Sequence, residues 1–204
     1  MEPLSKLFGS PARVKLLRLF FFNPGAVYDR DSVVVRARVT PETASKELAA
    51  LARAGVTNRK TFYKEVVRPG TKTPKRRRTI GWVLNPKFPY IPELSRFLRD
   101  TLAISDKELR KRVRTIGTVK LLILSGFLIG EKERSIDVLV VADKVNETAL
   151  RSAISSIEAD CGQEIRYAVL SVEDYRYRLR VRDRLVREVL DFPHKIIIEK
   201  IATV

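Results

Sequence analysis

TPETASKELAALARAGV, residues 40 to 56, is the stretch from which the fold is read. Thr40 is suited to cap a helix, Pro41 to occupy its first turn, and Glu42 to complement the positive end of its dipole. Ala44, Leu48, Leu51 and Ala52 recur on one face, and Gly55 stops the run. With that face buried, Thr43, Lys46, Ala50 and Arg53 form an outer stripe, and Thr43, Ser45 and Lys46 lie nearest the helix start.

The segments around it are read relative to this helix. SPARVKLLRLFFFNPG (10 to 25) offers Ser10 as cap, Pro11 in the first turn, apolar Val14, Leu17 and Phe21 at helical spacing, and Asn23-Pro24-Gly25 as a stop. DRDSVVVRARV (29 to 39) is ambiguous, because three valines favour a strand whereas Asp29 or Asp31 can cap a helix. A short turn before the 40 to 56 helix has helix-turn-helix spacing. TNRKTFYKEVV (57 to 67) and TIGWVLNP (79 to 86), rich in β-branched and aromatic residues, are expected to form a hairpin. Their loop, RPGTKTPKRRRT (68 to 79), carries Arg68, Lys72, Lys75, Arg76, Arg77 and Arg78 and no acid. So many like charges repel one another, and a duplex backbone is their natural partner.

Net charge follows the same division. The chain has 204 residues and a formal charge of +16; residues 1 to 92 contribute +13 and residues 93 to 204 only +3. A basic module joined to a part that is not primarily a polyanion binder is expected. No apolar run is long enough to span a bilayer, and MEPLSKLFGS lacks the pattern of a secretion signal, so a cytoplasmic protein with no membrane partner is expected. The single Cys161 and single His194 allow neither an intrachain disulfide nor a His/Cys metal cluster. GFLIGEK (126 to 132) lacks the spacing of a phosphate-binding P-loop.

Helix, helix, turn, helix, strand, basic loop, strand over residues 4 to 90 resembles the winged-helix domain of prokaryotic transcriptional regulators. The resemblance rests on LFGSPARVKLLRLFFFNPG, TPETASKELAALARAGVTNRK and YKEVVRPGTKTPKRRRTIGWVLNP. It implies that the 40 to 56 helix enters the major groove by its N-terminal half and that the basic loop, the wing, contacts an adjacent backbone or minor groove. Thr43, Ser45, Lys46, Arg53, Arg68, Lys72, Lys75, Arg76, Arg77 and Arg78 are then the DNA-binding candidates.

Residues 85 to 115 read as a proline-punctuated connector with one or two basic amphipathic helices, and 93 to 115 as a helical linker. TVKLLILSG (118 to 126) and SIDVLVVAD (135 to 143) are near-continuous aliphatic runs, expected of strands covered on both faces. A helix over 146 to 162, a strand over 164 to 171, a helix over 172 to 190 and a last strand at HKIIIEKI follow, an alternation that argues an α/β layer in residues 116 to 204. The fold expected is therefore α+β or α/β with two domains: a winged helix over 1 to 92 and a mixed sheet with flanking helices after the linker.

LILSGFLIGEKERSIDVLVVAD resembles the opening of minimal, polymerase-β-like nucleotidyltransferases, and the similarity spans about 105 to 200. That family has Gly-Ser where this chain has Ser125-Gly126. Ser135 stands where its first metal-binding Asp would be, Asp137 is retained, and Arg166 falls about where its third carboxylate belongs, with Glu164 two residues away. Two metal ions need carboxylates to hold them about 3.5 to 4 Å apart, so phosphoryl transfer, catalytic residues, metal and cofactor are not expected. Arg166 could hold an anion or ion-pair with Asp137. The expected protein is a DNA-binding transcriptional regulator with an inactive second domain that senses a small anionic or nucleotide effector, forms a homodimer or recruits. A nucleotidyltransferase gripping nucleic acid with the winged helix is the alternative, and an architectural DNA binder a third.

Overall fold

The computed structural model describes residues 3–66, 75–102, 104–131 and 134–201. It is a mixed α and β chain that divides into two compact units, Met1–Leu98 with Glu158–Gln163, and Arg99–Ile157 with Glu164–Val204. Among the described residues no helix is long and apolar enough to cross a membrane.

The first unit contains α1 (Pro3–Leu7), α2 (Pro11–Phe22), α3 (Arg30–Ala37), α4 (Pro41–Arg53), the hairpin β1 (Thr57–Val66) and β2 (Lys75–Leu84), and most of α5 (Ile91–Asp100). Local chemistry sets the helix starts. Ser10, Asp29 and Thr40 each accept a backbone N–H from the residue three further on, satisfying a donor that the first turn leaves without a partner. The valine run 33 to 35 is thus helical. Asp29 caps it, Val33 is buried to 0% exposure, and Arg38 ends it in the left-handed conformation. Tertiary burial and the cap outweigh the β preference of valine.

Leu16, Phe20, Val33, Ala44, Leu48 and Leu98 are fully or almost fully enclosed in one core, with Trp82, Phe88, Ile91 and Leu94 packed against it. Each buried leucine contributes about 1.5–3 kcal/mol. Leu98 belongs to this core although it lies in the stretch read as a linker from sequence. Gly81 is required where β2 passes the chain at 27–28: a Cβ there would meet Val27, Phe62 and the Tyr28 carbonyl. Tyr28 pairs with Trp82 through two backbone hydrogen bonds of 2.9 and 2.8 Å, so β2 is held on both sides.

The second unit contains α6 (Asp106–Val113), β3 (Thr118–Leu124), a 3₁₀ turn Gly126–Ile129, β4 (Val138–Asp143), most of α7 (Glu147–Cys161), β5 (Tyr167–Leu170), α8 (Val172–Arg180), α9 (Arg184–Asp191) and β6 (Lys195–Glu199). The sheet order is β5-β4-β3-β6, with β4 parallel to β5 and the other pairings antiparallel. Val138 to Ala142 are buried at consecutive positions, so both faces of β4 are covered. Leu121, Ile123, Leu139, Val141, Tyr175, Val186 and Val189 form the core on one face.

The single helix expected over 172 to 190 is two helices. Arg182 turns left-handed at φ 54°, and Asp183 accepts from Leu185 N and Val186 N to start α9. An aspartate inside a helical period acts here as a cap because its carboxylate competes for backbone donors.

Candidate functional site

On α4 the buried arc is Ala44, Glu47, Leu48 and Leu51. Glu47, only 3% exposed, accepts from Ser10 Oγ at 2.8 Å and from Arg13 Nε at 2.7 Å, tying α4 to the start of α2. With Glu47 inside, the outward face turns by about one residue from the stripe expected. Glu42, Ser45, Lys46, Ala49 and Arg53 are exposed, while Thr43 and Ala50 are half-buried at its border. Thr43 Oγ1 also lies 3.0 Å from Thr40 Oγ1, within the cap. Only an alternation of caps and apolar positions was legible locally. A glutamate that must be buried to meet a partner 37 residues earlier leaves no signal of that kind.

The hairpin register defines two faces. Arg59 with Trp82, Thr61 with Ile80, Tyr63 with Arg78 and Glu65 with Arg76 share one; Lys60 with Gly81, Phe62 with Thr79 and Lys64 with Arg77 share the other. Lys64 fixes the orientation, because its ammonium donates to Asp29 Oδ2 at 2.7 Å. The opposite face carries Arg59 over the partly buried Trp82 at 5.9 Å and, further from the core, exposed Tyr63 and Ile80 with Arg76 and Arg78. Lys75, Arg76, Arg77 and Arg78 are all exposed, but Arg77 projects opposite to Arg76 and Arg78. Arg76 approaches Glu65 at 4.0 Å, a solvent-screened pair. Arg68 and Lys72 lie outside the described residues.

In the second unit, Asp137 sits just before β4 and is 1% exposed. Its carboxylate accepts from Phe127 N at 2.9 Å and Arg166 N at 3.0 Å, and bidentately from Arg166 Nε and Nη2, both at 3.2 Å. Hydrogen bonding to Asp137 raises the pKa of Arg166 above its already high ordinary value. Gly126 has φ +52°, and a Cβ on it would fall against Asp137 Oδ1. Any side chain here would be strained and would displace the carboxylate. Ser125 is buried and donates its N–H to the Asp137 carbonyl.

Ser135 does not join this cluster. Its N–H and hydroxyl go to Glu188 of α9, 53 residues on. The two Ser135 hydrogen bonds lower the Glu188 pKa, outweighing a smaller opposing effect of burial, and Arg184 and Arg134 add to the lowering. Glu164 is exposed and makes none of the Asp137 contacts. Asp137 is thus occupied by an arginine and two backbone donors. Among the described residues no group of three or more His, Cys, Asp or Glu could hold a metal ion. No family model, curated protein or solved structure matches the chain.

Proposed function

We propose that the protein is a cytoplasmic DNA-binding transcriptional regulator. Its first unit acts as a winged helix, and its second is a nucleotidyltransferase-like domain that does no chemistry. The observation that carries the reading is the pairing of two surfaces in one unit: the exposed Ser45 and Lys46 at the start of α4, and the hairpin strand on which Lys75 to Arg78 are all exposed. Cationic groups on a strand serve phosphates, and short polar groups at a helix start serve base edges. Double-stranded DNA is the partner, and a two-fold homodimer would read two half-sites about 10 base pairs apart or a multiple of that.

The non-catalytic reading of the second unit is supported by the saturation of Asp137 and by the engagement of Ser135 with Glu188. In two-metal transfer the carboxylates must face the metals with free lone pairs. Selection of bound sequences from a random duplex pool tests the regulator reading, with Arg76→Ala/Arg78→Ala as control. A recurrent motif supports it. Recovery of sequences no different from the input would overturn it and leave an architectural binder.

A further inference from the structure

In the second unit a groove of about 530 Å³ opens between the segment at Arg134 and α9. Four arginines line it: Arg134, Arg182, Arg184 and Arg187. The two carboxylates present are engaged. Glu188 takes the Ser135 N–H at 2.6 Å, and Asp191 takes Arg187 at 2.8 Å. Arg182 and Arg184 are exposed and form no side-chain hydrogen bond or close ion pair among the described residues, although Arg184 acts on Glu188 through its charge. Arg134 lies over the Phe192 ring at 4.0 Å. Its Nε is buried without a hydrogen-bond partner and its Nη2 lies 3.7 Å from Glu131, so the ring and that pair fix the guanidinium plane and only the remaining Nη N–H groups can face an occupant.

This is an excess of positive charge in a half of the chain whose formal balance is only +3. The break between α8 and α9 produces it. Arg182 adopts the left-handed conformation, Asp183 caps α9, and Arg184 follows at the first helical position, which brings Arg182 and Arg184 to one edge of the groove. The lining is polar apart from Phe192, so the occupant is bound by its charges rather than by an apolar body. Several planar forks set apart along one groove suit an anion with more than one oxyanion group.

We propose that this groove binds a di- or triphosphate group, held by Arg134, Arg182 and Arg184, with Arg187 and Asp191 as a paired wall. The site consists of second-unit residues alone and does not depend on DNA binding by the first unit.

The test is calorimetric titration of the full chain with pyrophosphate, tripolyphosphate, ATP and GTP at about 150 mM NaCl, where loosely attracted anions are screened. One saturable site is expected. Arg182→Asn/Arg184→Gln should weaken it by about tenfold or more, since two charge-assisted contacts go. Arg184→Gln alone is the second variant should the double change disturb the α8–α9 turn. Glu188→Gln should tighten binding several-fold, because it removes the nearest negative charge and keeps an acceptor for Ser135. Arg76→Gln/Arg78→Gln in the hairpin should leave it unchanged. Equal affinity for tripolyphosphate and the nucleotides assigns recognition to the phosphates; a preferred nucleotide assigns it to that source. The proposal is overturned by the absence of saturable binding, or by binding that disappears with the hairpin arginines and survives Arg182→Asn/Arg184→Gln.

Discussion

Asp29 and Lys64, 35 residues apart, meet at 2.7 Å, and the same carboxylate caps α3 through Ser32 N at 2.9 Å. One side chain therefore starts a helix and orients the hairpin. Asp29→Ala should cost about 1–2 kcal/mol through the lost cap, measured by urea unfolding, whereas Asp29→Asn should cost less because it still caps.

The same residue sets an acid dependence. Burial would raise the Asp29 pKa, but hydrogen bonds from Lys64 and Ser32 outweigh burial and leave it lowered. The unfolded chain then takes up the proton more readily than the folded one. The stabilisation is complete above the ordinary value of 3.8 and is lost as pH falls through the folded value. Unfolding free energies of the parent and Asp29→Asn should converge in that acid range and stay apart at pH above about 5. A constant gap between the two across the acid range would refute the linkage.

Asp137→Ala should destabilise the second unit by about 2–3 kcal/mol, since it strands two backbone donors and an arginine. Arg166→Ala should cost less, because that side chain is 53% exposed and water replaces part of the pair. Gly126→Ala should be as severe as Asp137→Ala. Labelled nucleoside triphosphates with Mg²⁺ or Mn²⁺ and RNA or protein acceptors should give no incorporation; turnover abolished by Asp137→Ala would reverse the non-catalytic reading.

On the hairpin, Arg76 and Arg78 share a face that Arg77 does not. If a duplex lies against the face that carries Arg76 and Arg78, Arg76→Ala/Arg78→Ala should lower the slope of log K against log salt by up to about 1.8, at about 0.9 per phosphate contact, and Arg77→Ala should change it little. The loss should be similar for all duplexes, because backbone contacts carry no sequence information directly. Equal effects from Arg77→Ala and the double variant would remove this assignment of faces.

Lys46→Ala and Ser45→Ala should reduce affinity for the selected site by about 1–3 kcal/mol and for random DNA by less, if these side chains reach base edges. Thr43→Ala carries the same expectation for the selected site, with an added effect on the cap it shares with Thr40. Competition binding with selected and scrambled duplexes separates the two.

Much of this chain was determined within a few residues of each position. Ser10, Thr40, Ser105, Asn146 and Ser171 begin helices because their short polar side chains reach donors two or three residues away. The aliphatic runs 121–124 of β3 and 138–142 of β4 are covered on both faces because no polar position interrupts them. Tertiary structure decided the rest. Whether the valines of α3 form helix or strand, which side of α4 faces out, which arginines share a hairpin face, and whether Asp137 is bound or free each depend on a partner beyond the local window. Glu47 is buried because Ser10 and Arg13 reach it, and Asp137 because Phe127 and Arg166 do. A buried charge is tolerated only where the folded chain brings donors to it, so its place cannot be read from the charge itself.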